Sequence, residues 1–539
     1  MRVADAVGRA LAGLGADTVF GVVGSGNFHI TNALIAGGAR YIAARHEGGA
    51  AMMADAWART AGRVGVLSVH QGPGLTNAMT GITEAAKSRT PLLVLAAEAP
   101  GVRSNFYVDV AGLAAAVGAA HVRLNSPGSA VADACGAYQT ALTRRTVILA
   151  LPLDVQAAEY KPAQVCTGPL VHAPAPAAEG VAALAALLQD AERPVFIAGR
   201  GARGARAEME TVADRYGALL ATSAVAKGLF HGNPRNLDVS GGFASPLAAE
   251  LIRAADLIVA WGCSLNMWTT RHGKLIGPDT TIVQVDDDPG AIGAHRAVHL
   301  GVVGDVAATA RAVASEWEGE PEYVVKKGSL GLIGSVRWRD VPFTSESDSE
   351  RIDPRTLSIA LDDMLPAERT VVVDSGNFMG YPSMFLSVPD ETGFCFTQAF
   401  QSVGLGLASA IGAALARPDR LPVAALGDGG ALMGITELET LVRLGIPMVV
   451  VVYDDEAYGA EVHHFGPEGD PLDTVRFPAT DIAAIGRGFG CEGVIVRRVD
   501  DLAAVRSWLD GPRSRPLVVD AKITSGHGSW WLEEAFRGH

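Results

Sequence analysis

Cysteine is scarce and scattered: Cys135, Cys166, Cys263, Cys395 and Cys491 are the five in 539 residues, and no two form a CxxC pair. That argues against a zinc site or a disulfide framework and points to a reducing, cytoplasmic setting. Long apolar runs are missing too. No charge-free stretch reaches the ~18–20 residues of a membrane span, and the N-terminus, with Asp5 and Arg9 in an amphipathic pattern, has no signal-peptide core. Lysine and arginine form no block in a chain of net charge -14, so there is no footprint for nucleic acid. Small molecules and other subunits are the expected partners. An anionic ligand would need a local positive site, such as a metal ion or helix N-termini. Aromatic residues make up only 6%.

Against these gaps stand 49% hydrophobic residues and 63 glycines, a composition that suits Ala/Val/Leu-rich helices and strands joined by tight turns. A chain this long should divide into about three cores. Strand patterns at Thr18–Val23, Val64–Val69, Pro91–Ala96 and Thr146–Leu151 alternate with helical patterns over residues 1–160. A Pro/Ala-rich linker, Lys161–Gly180, follows. A second unit over 181–316 carries strand candidates Pro194–Ala198, Leu257–Trp261 and Thr281–Val285; a polar stretch, Trp317–Asp353, separates it from a third over 354–539. That unit has strands at Thr370–Val373, Pro422–Leu426, Met448–Tyr453 and Pro516–Val519. The expected fold class is α/β, with three doubly wound parallel sheets. The first and third units share a style of strand followed by a Gly-rich turn.

The strongest local signal is Gly427-Asp428-Gly429-Gly430 after the buried strand Val423–Leu426, with a helical pattern, Ile435–Leu444, behind it. Free backbone N–H groups at the end of a parallel strand bind phosphates, and Asp428 adds a hard oxygen ligand. Mg²⁺ shares octahedral coordination between one or two carboxylates and phosphate oxygens, so a second acid is expected at a neighbouring strand end. Asp455, 27 residues on, follows the strand Met448–Tyr453. Taken alone, a GDG turn is as well explained by a tight strand-to-helix turn; the second acidic loop tips the balance.

This pair of loops resembles the diphosphate motif of thiamine diphosphate enzymes. Arg45-His46-Glu47-Gly48-Gly49 and Val69-His70-Gln71-Gly72-Pro73-Gly74-Leu75-Thr76-Asn77 are similar to the pyrimidine-binding domain of the acetolactate synthase, benzoylformate decarboxylase and pyruvate decarboxylase family. The resemblance implies Mg²⁺ on Asp428, Asp455 and the Ala457 carbonyl. It also implies cofactor contacts from Gly74, Asn77, Gln401, Val403, Gly427, Gly429, Gly430, Tyr458 and Gly459. Asp455 departs from the usual Asn, and Val403 is smaller than the usual support for the bent cofactor. Glu47 would bond the pyrimidine N1′ and favour the imino tautomer that deprotonates the thiazolium. Decarboxylation or carboligation of a 2-oxo acid would follow through a C2 carbanion and an enamine. A homodimer or homotetramer is implied, with Glu47 of one subunit meeting the Asp428 site of another.

For the substrate, His70 and Ser25 match benzoylformate decarboxylase positions, while Glu461, six residues after Asp455, matches a catalytic glutamate of pyruvate decarboxylases. Tyr107 and His464 replace the Gln and Trp of amino-acid-pathway synthases, which argues against that pathway. His463 and His464 read as loop histidines. Gly199-Arg200-Gly201-Ala202-Arg203-Gly204 is formally GxGxxG, yet the next strand, Ala218–Ser223, has no acid, which argues against NAD. FAD, held in this domain by some synthases, stays open and is not the favoured expectation. The competing readings are a catalytically silent thiamine diphosphate-binding regulatory protein and, more remotely, a nicotinamide oxidoreductase.

Overall fold

The computed structural model describes residues 1–160, 173–317 and 336–532. Most of the expected Lys161–Gly180 linker, Cys166, the centre of Trp317–Asp353 and the last residues of the third unit lie outside them. Three six-stranded sheets follow one another along the chain, all parallel, with helices between the strands. The α/β reading with three doubly wound sheets holds.

The first sheet has β1 (Thr18–Gly21), β2 (Arg40–Ala43), β3 (Gly65–Val69), β4 (Leu92–Glu98), β5 (Ala120–Arg123) and β6 (Thr146–Pro152), in the order 2-1-3-4-6-5. The second has β7 (Pro194–Ala198), β8 (Leu219–Thr222), β9 (Asn236–Val239), β10 (Leu257–Trp261), β11 (Thr281–Asp286) and β12 (Leu300–Val303), in the order 12-11-10-7-8-9. The third comprises β13 (Arg369–Val373), β14 (Phe394–Phe396), β15 (Leu421–Gly427), β16 (Val449–Asp454), β17 (Glu492–Val496) and β18 (Leu517–Lys522). Its order, 14-13-15-16-18-17, repeats that of the first sheet. The shared style of units one and three is therefore a shared topology.

Strand order decides where a ligand can sit, because a crevice opens where neighbouring crossovers leave in opposite directions. In the first sheet that point lies between β1 and β3, in the second between β7 and β10, and in the third between β13 and β15. The central strands are Val/Leu/Ala-rich and buried on both faces, as covered parallel sheets require.

The first and third sheets share one apolar cluster. Helix Glu47–Ala61 lies against helix Gly406–Ala416, whose Ala408, Ala410, Gly412, Ala413 and Ala414 are small, and a Cβ at Gly412 would stand 2.1 Å from the Met53 carbonyl oxygen. Side chains of this size let the two helices approach closely, so the strand ends of both sheets are held in a fixed relation.

Two sequence expectations need correction. The helix expected at Ile435–Leu444 is Glu437–Arg443, and a separate helix that was not expected, Asp428–Met433, precedes it and begins on the acid itself. The linker was drawn too long, since helix Ala178–Asp190 starts before Gly180.

Candidate active site

Two groups of side chains stand at the switch points of the first and third sheets. In the first, β1 runs into Gly24-Ser25-Gly26 and β3 into His70. The Gly26 N–H donates to His70 Nδ1 at 3.1 Å. A backbone N–H can only donate, so Nδ1 is the acceptor and the neutral ring carries its proton on Nε2. A Cβ at Gly24 would lie 2.7 Å from His70 Cγ, so glycine is what lets this turn seat on the imidazole. Phe106 meets the ring edge-on at 5.4 Å. Burial lowers the His70 pKa from its ordinary value, against the opposing pull of Glu47. Ser25 is exposed at the tip of the turn, and Tyr107 is exposed beside Phe106.

Glu47 opens helix Glu47–Ala61, where a carboxylate is favoured by the unpaired N–H groups of the first turn. His46 Nδ1 caps that turn by accepting from Gly48 N at 3.0 Å, and buried Glu437 accepts from the N–H groups of Arg45 and His46. Asn77 Nδ2 donates to Glu47 Oε2 at 3.1 Å. A Cβ at Gly74 would sit 3.6 Å from Glu47 Oε1 and 3.0 Å from His70 Cβ, so Gly74 keeps the floor between them open.

In the third sheet, β15 and β16 are adjacent and parallel, and Asp428 and Asp455 follow directly from their ends. Both carboxyls titrate well above the usual range. Asp428 is pushed up to about 8 by burial and by Asp455 and Asp454; Asp455 rises to about 7 through burial and Asp454. Lys522 answers Asp454 and, at 3.2 Å, Asp520, behind the pair. Among the described residues no lysine or arginine forms an ion pair with Asp428 or Asp455.

The glycines of this group fit a close-fitting cradle. A Cβ would stand 3.1 Å from the Phe378 ring at Gly427, 2.7 Å from the Tyr458 ring at Gly429, and 2.5 Å from Asp374 Oδ2 at Gly430. Gly459 packs on Asp455 and Asn377. The loop between Asp455 and Gly459 is tied down by an Ala457–Arg476 bridge, and Tyr458 meets Phe477 edge-on at 4.8 Å. Glu456 takes a positive φ of +59°. A cavity of about 280 Å³ opens beside Asp428, Gly429, Met433, Asp454, Tyr458 and Phe477. Val403, 37% exposed, faces Gly430 from the other side, after Gln401 in a left-handed conformation at φ +62°. Glu461 and His463 are half-buried on helix Gly459–Phe465; His463 packs against Gly528 and His464 against Phe465.

This donor set fits a metal diphosphate. Among the described residues no three His, Cys, Asp or Glu side chains converge as a complete protein cage. Mg²⁺ needs none, because it commonly combines one or two carboxylates with phosphate oxygens and water. Two buried carboxyls that form no ion pair among the described residues, with the charge of Arg351 acting only on Asp455, make a site that a divalent ion would relieve.

Sequence reading missed several neighbours. Asp374, at the end of β13, is buried, is raised to about 6 chiefly by that burial, and accepts N–H groups from the loop before helix Gly406–Ala416. Asn377 accepts from Ser529, which fastens the last described segment over the site. An acid after a β-branched run, Val371–Val373, followed by Ser375-Gly376, was the available signal for Asp374.

At the switch point of the second sheet, Gly201 N donates to Gly262 O at 3.0 Å, beside a cavity of about 870 Å³. Arg200, Arg203 and Gln398 line it with buried nitrogens that have no hydrogen-bond partner among the described residues. The space and donors fit the FAD alternative, whereas β8, ending at Thr222 without an acid, does not fit NAD. No described helix is long and apolar enough to cross a membrane.

Comparison with known proteins agrees along the chain. "Thiamine pyrophosphate enzyme, N-terminal TPP binding domain" matches residues 1–124, the central domain of the same family 181–313, and its C-terminal TPP binding domain 374–521. An acetolactate synthase large subunit from Parasynechococcus marenigrum is 28% identical over 97% of this chain and 87% of its own. A sulfoacetaldehyde acetyltransferase from Rhodobacter capsulatus is 27% identical over 99% and 96%, and a probable 2-ketoarginine decarboxylase from Pseudomonas aeruginosa 29% over 92% and 89%. The chain belongs to the thiamine diphosphate-dependent enzymes of the acetolactate synthase and decarboxylase family, and is a lyase or transferase of that family.

Proposed function

We propose that the protein binds thiamine diphosphate through Mg²⁺ on Asp428, Asp455 and the Ala457 carbonyl, and decarboxylates a 2-oxo acid, releasing an aldehyde or joining the fragment to a second carbonyl compound. The observation that carries the reading is the pair of buried carboxyls at adjacent strand ends, raised in pKa and, among the described residues, without an ion pair to a cation. Thiamine diphosphate, when bound, supplies the electron sink that lets CO₂ leave.

The chain's own groups take the remaining roles. Glu47 holds the activating proton at its carboxyl, oriented by Asn77. His70, with its proton on Nε2, donates that proton to the reacting oxygen or carbon and takes one back on the same nitrogen. The Ser25 hydroxyl receives the substrate carboxylate. Glu461 is a second proton carrier from the other group, the Gln401 carbonyl faces the aminopyrimidine, and Val403 supports the cofactor's bend. Gly427, Gly429, Gly430, Tyr458 and Gly459 shape the diphosphate cradle.

Among the described residues, no hydrogen bond or ion pair joins Glu47 or His70 to the Asp428 and Asp455 loops. Exposed Phe106 and Tyr107 flank the first group, and exposed Met433 and Phe477 flank the second. A homodimer or homotetramer that brings one chain's first group to another's second would cover both. Sedimentation of the holoenzyme at micromolar concentration is expected to give a dimer or larger species.

The activity is tested with purified protein, Mg²⁺ and thiamine diphosphate against pyruvate, benzoylformate and 2-ketoarginine, each with and without an added aldehyde or sulfoacetaldehyde. Release of CO₂ from at least one is expected. Absence of both cofactor binding and CO₂ release would end the proposal.

The carboxyl pair also predicts a pH effect. Asp428 and Asp455 bind protons more tightly in the folded metal-free chain than in the unfolded one, so stability falls as pH rises from the ordinary carboxylate range towards about 7 to 8. Metal replaces those protons. The gain in melting temperature on adding Mg²⁺ and thiamine diphosphate should therefore be larger at pH 8 than at pH 6. Equal gains at both would mean that these carboxyls do not hold the ion.

A further inference from the structure

The stretch from Ala399 to Leu405 lies outside the helices and strands, and its N–H groups are claimed from both ends by buried acids. Glu84, 1% exposed, accepts from Ala399 N at 3.2 Å on Oε1 and from Phe400 N at 2.6 Å on Oε2. Asp374, fully buried, accepts from Gly404 N at 3.0 Å and also bonds the N–H groups of Leu405 and Gly406. Between the clamps lie Gln401, at φ +62°, Ser402 and Val403. A left-handed conformation at a residue with a side chain is strained and persists only where its surroundings impose it. Here the imposing group comes from the first sheet's helix Pro73–Lys87, more than 300 residues away in sequence.

The Glu84 carboxylate is itself held. Arg59 Nη2 donates to its Oε1 at 2.8 Å, and the Ser88 hydroxyl donates to the same oxygen at 3.1 Å. The carboxylate therefore has little freedom, and its two oxygens fix two consecutive peptide groups of one loop.

We propose that Glu84 is a positioning residue: by fixing the Ala399 and Phe400 peptides it holds Gln401 in its left-handed turn and sets the Gln401 carbonyl and the Val403 side chain against the bound cofactor. The proposal rests on the thiamine diphosphate reading above and adds a residue from outside the cofactor's own contacts. Its consequence is that loosening Glu84 disturbs the activated geometry of the cofactor more than its retention.

The test uses the full chain with Mg²⁺ and thiamine diphosphate. Glu84→Gln keeps the shape and one acceptor oxygen, but its amide nitrogen cannot accept a peptide N–H. It is expected to lower kcat by about 10-fold or more, the scale on which slight misplacement costs rate. The KM for the 2-oxo acid and the dissociation constant of the cofactor should change less than about three-fold, since the diphosphate cradle is untouched. Near-ultraviolet circular dichroism of the bound aminopyrimidine tautomers should shift, and Glu84→Asp should lie between the two proteins. A purely structural role would lower kcat, cofactor affinity and melting temperature together without changing the tautomer bands of the protein that still binds, and that result overturns the proposal. So does wild-type kcat with wild-type bands.

If Glu84→Gln does not fold, Ser88→Ala decides, because it removes the hydroxyl that donates to the same carboxylate, together with the bond that hydroxyl accepts from Arg59. A kcat loss of about two- to five-fold with shifted bands supports the assignment, and no change overturns it. If the wild-type protein binds no thiamine diphosphate, the underlying reading falls and this inference with it. If the wild type binds and turns over, while Glu84→Gln is indistinguishable from it, only the role of Glu84 falls.

Discussion

Glu47→Gln is expected to keep thiamine diphosphate and lose about 10²- to 10⁴-fold in kcat, the usual range for removing a positioned proton-transfer group. The substitution is nearly isosteric. Glutamine retains an oxygen that can accept from Asn77 Nδ2, now 3.1 Å from Glu47 Oε2, and the turn around it is held independently by His46 and Glu437. What disappears is an exchangeable proton at that carboxyl. Because the proposed diphosphate cradle lies on the third sheet, cofactor affinity measured by calorimetry should move little while CO₂ release collapses. A variant that turns over at the wild-type rate would show that Glu47 is not the activating acid, and the first group would need another role. Loss of cofactor binding together with activity would instead make Glu47 part of the binding surface.

The centre of each sheet was legible in the sequence for a physical reason. Strands β7 and β10 were read to the residue, because a strand buried on both faces is a continuous apolar run with polar ends. The edges were not. β2 (Arg40–Ala43) and β5 (Ala120–Arg123) are short and carry charge, β14 is only Phe394–Phe396, and β17 opens on Glu492. Such edges avoid mispairing by being short and charged, and that removes the pattern by which they could be recognised. The helix after Asp428 was placed late because Gly427, Gly429 and Gly430 read as a loop, yet the backbone turns helical on the acid and breaks again at Gly434.

The strand-end acids Asp428 and Asp455 could be singled out because local pattern marks where a strand stops, and His70 through the resemblance to benzoylformate decarboxylase. Glu84 and Lys522 could not, since their meaning comes from partners far along the chain: Phe400 for Glu84 and Asp454 for Lys522. Glu84 and Lys522 read as ordinary helix and strand residues until the sheets are assembled.

The largest stability effect is expected at another such residue. Arg59 is 8% exposed and pairs with Asp55 at 2.7 Å and Glu84 at 2.8 Å, while also donating to Ser88 Oγ and Phe396 O. Burial already raises the Asp55 pKa, and burial would do the same to Glu84 were it not outweighed by Arg59. Arg59→Leu leaves two buried carboxyls side by side without their cation, a change that typically costs ~3–5 kcal/mol, because the orphaned charges cannot be resolvated. At roughly 2–4 °C per kcal/mol for a domain of this size, the first sheet's transition should fall by on the order of 10 °C. The sign of its pH dependence is fixed as well. Without the guanidinium both acids hold protons more tightly folded than unfolded, so the variant's deficit should shrink as pH is lowered from 8 towards 5 and the carboxyls neutralise. Replacing all three side chains by apolar ones of similar volume should restore part of the lost stability, since the triad's charges leave together, while buried Arg200 loses the favourable charges of Asp55 and Glu84. The restored protein should still lack the clamp on Ala399 and Phe400, and with it the normal turnover. Thermal melts of the single and triple variants at the two pH values, paired with turnover of the triple variant, separate the cost of an unpaired charge from the loss of the loop it holds.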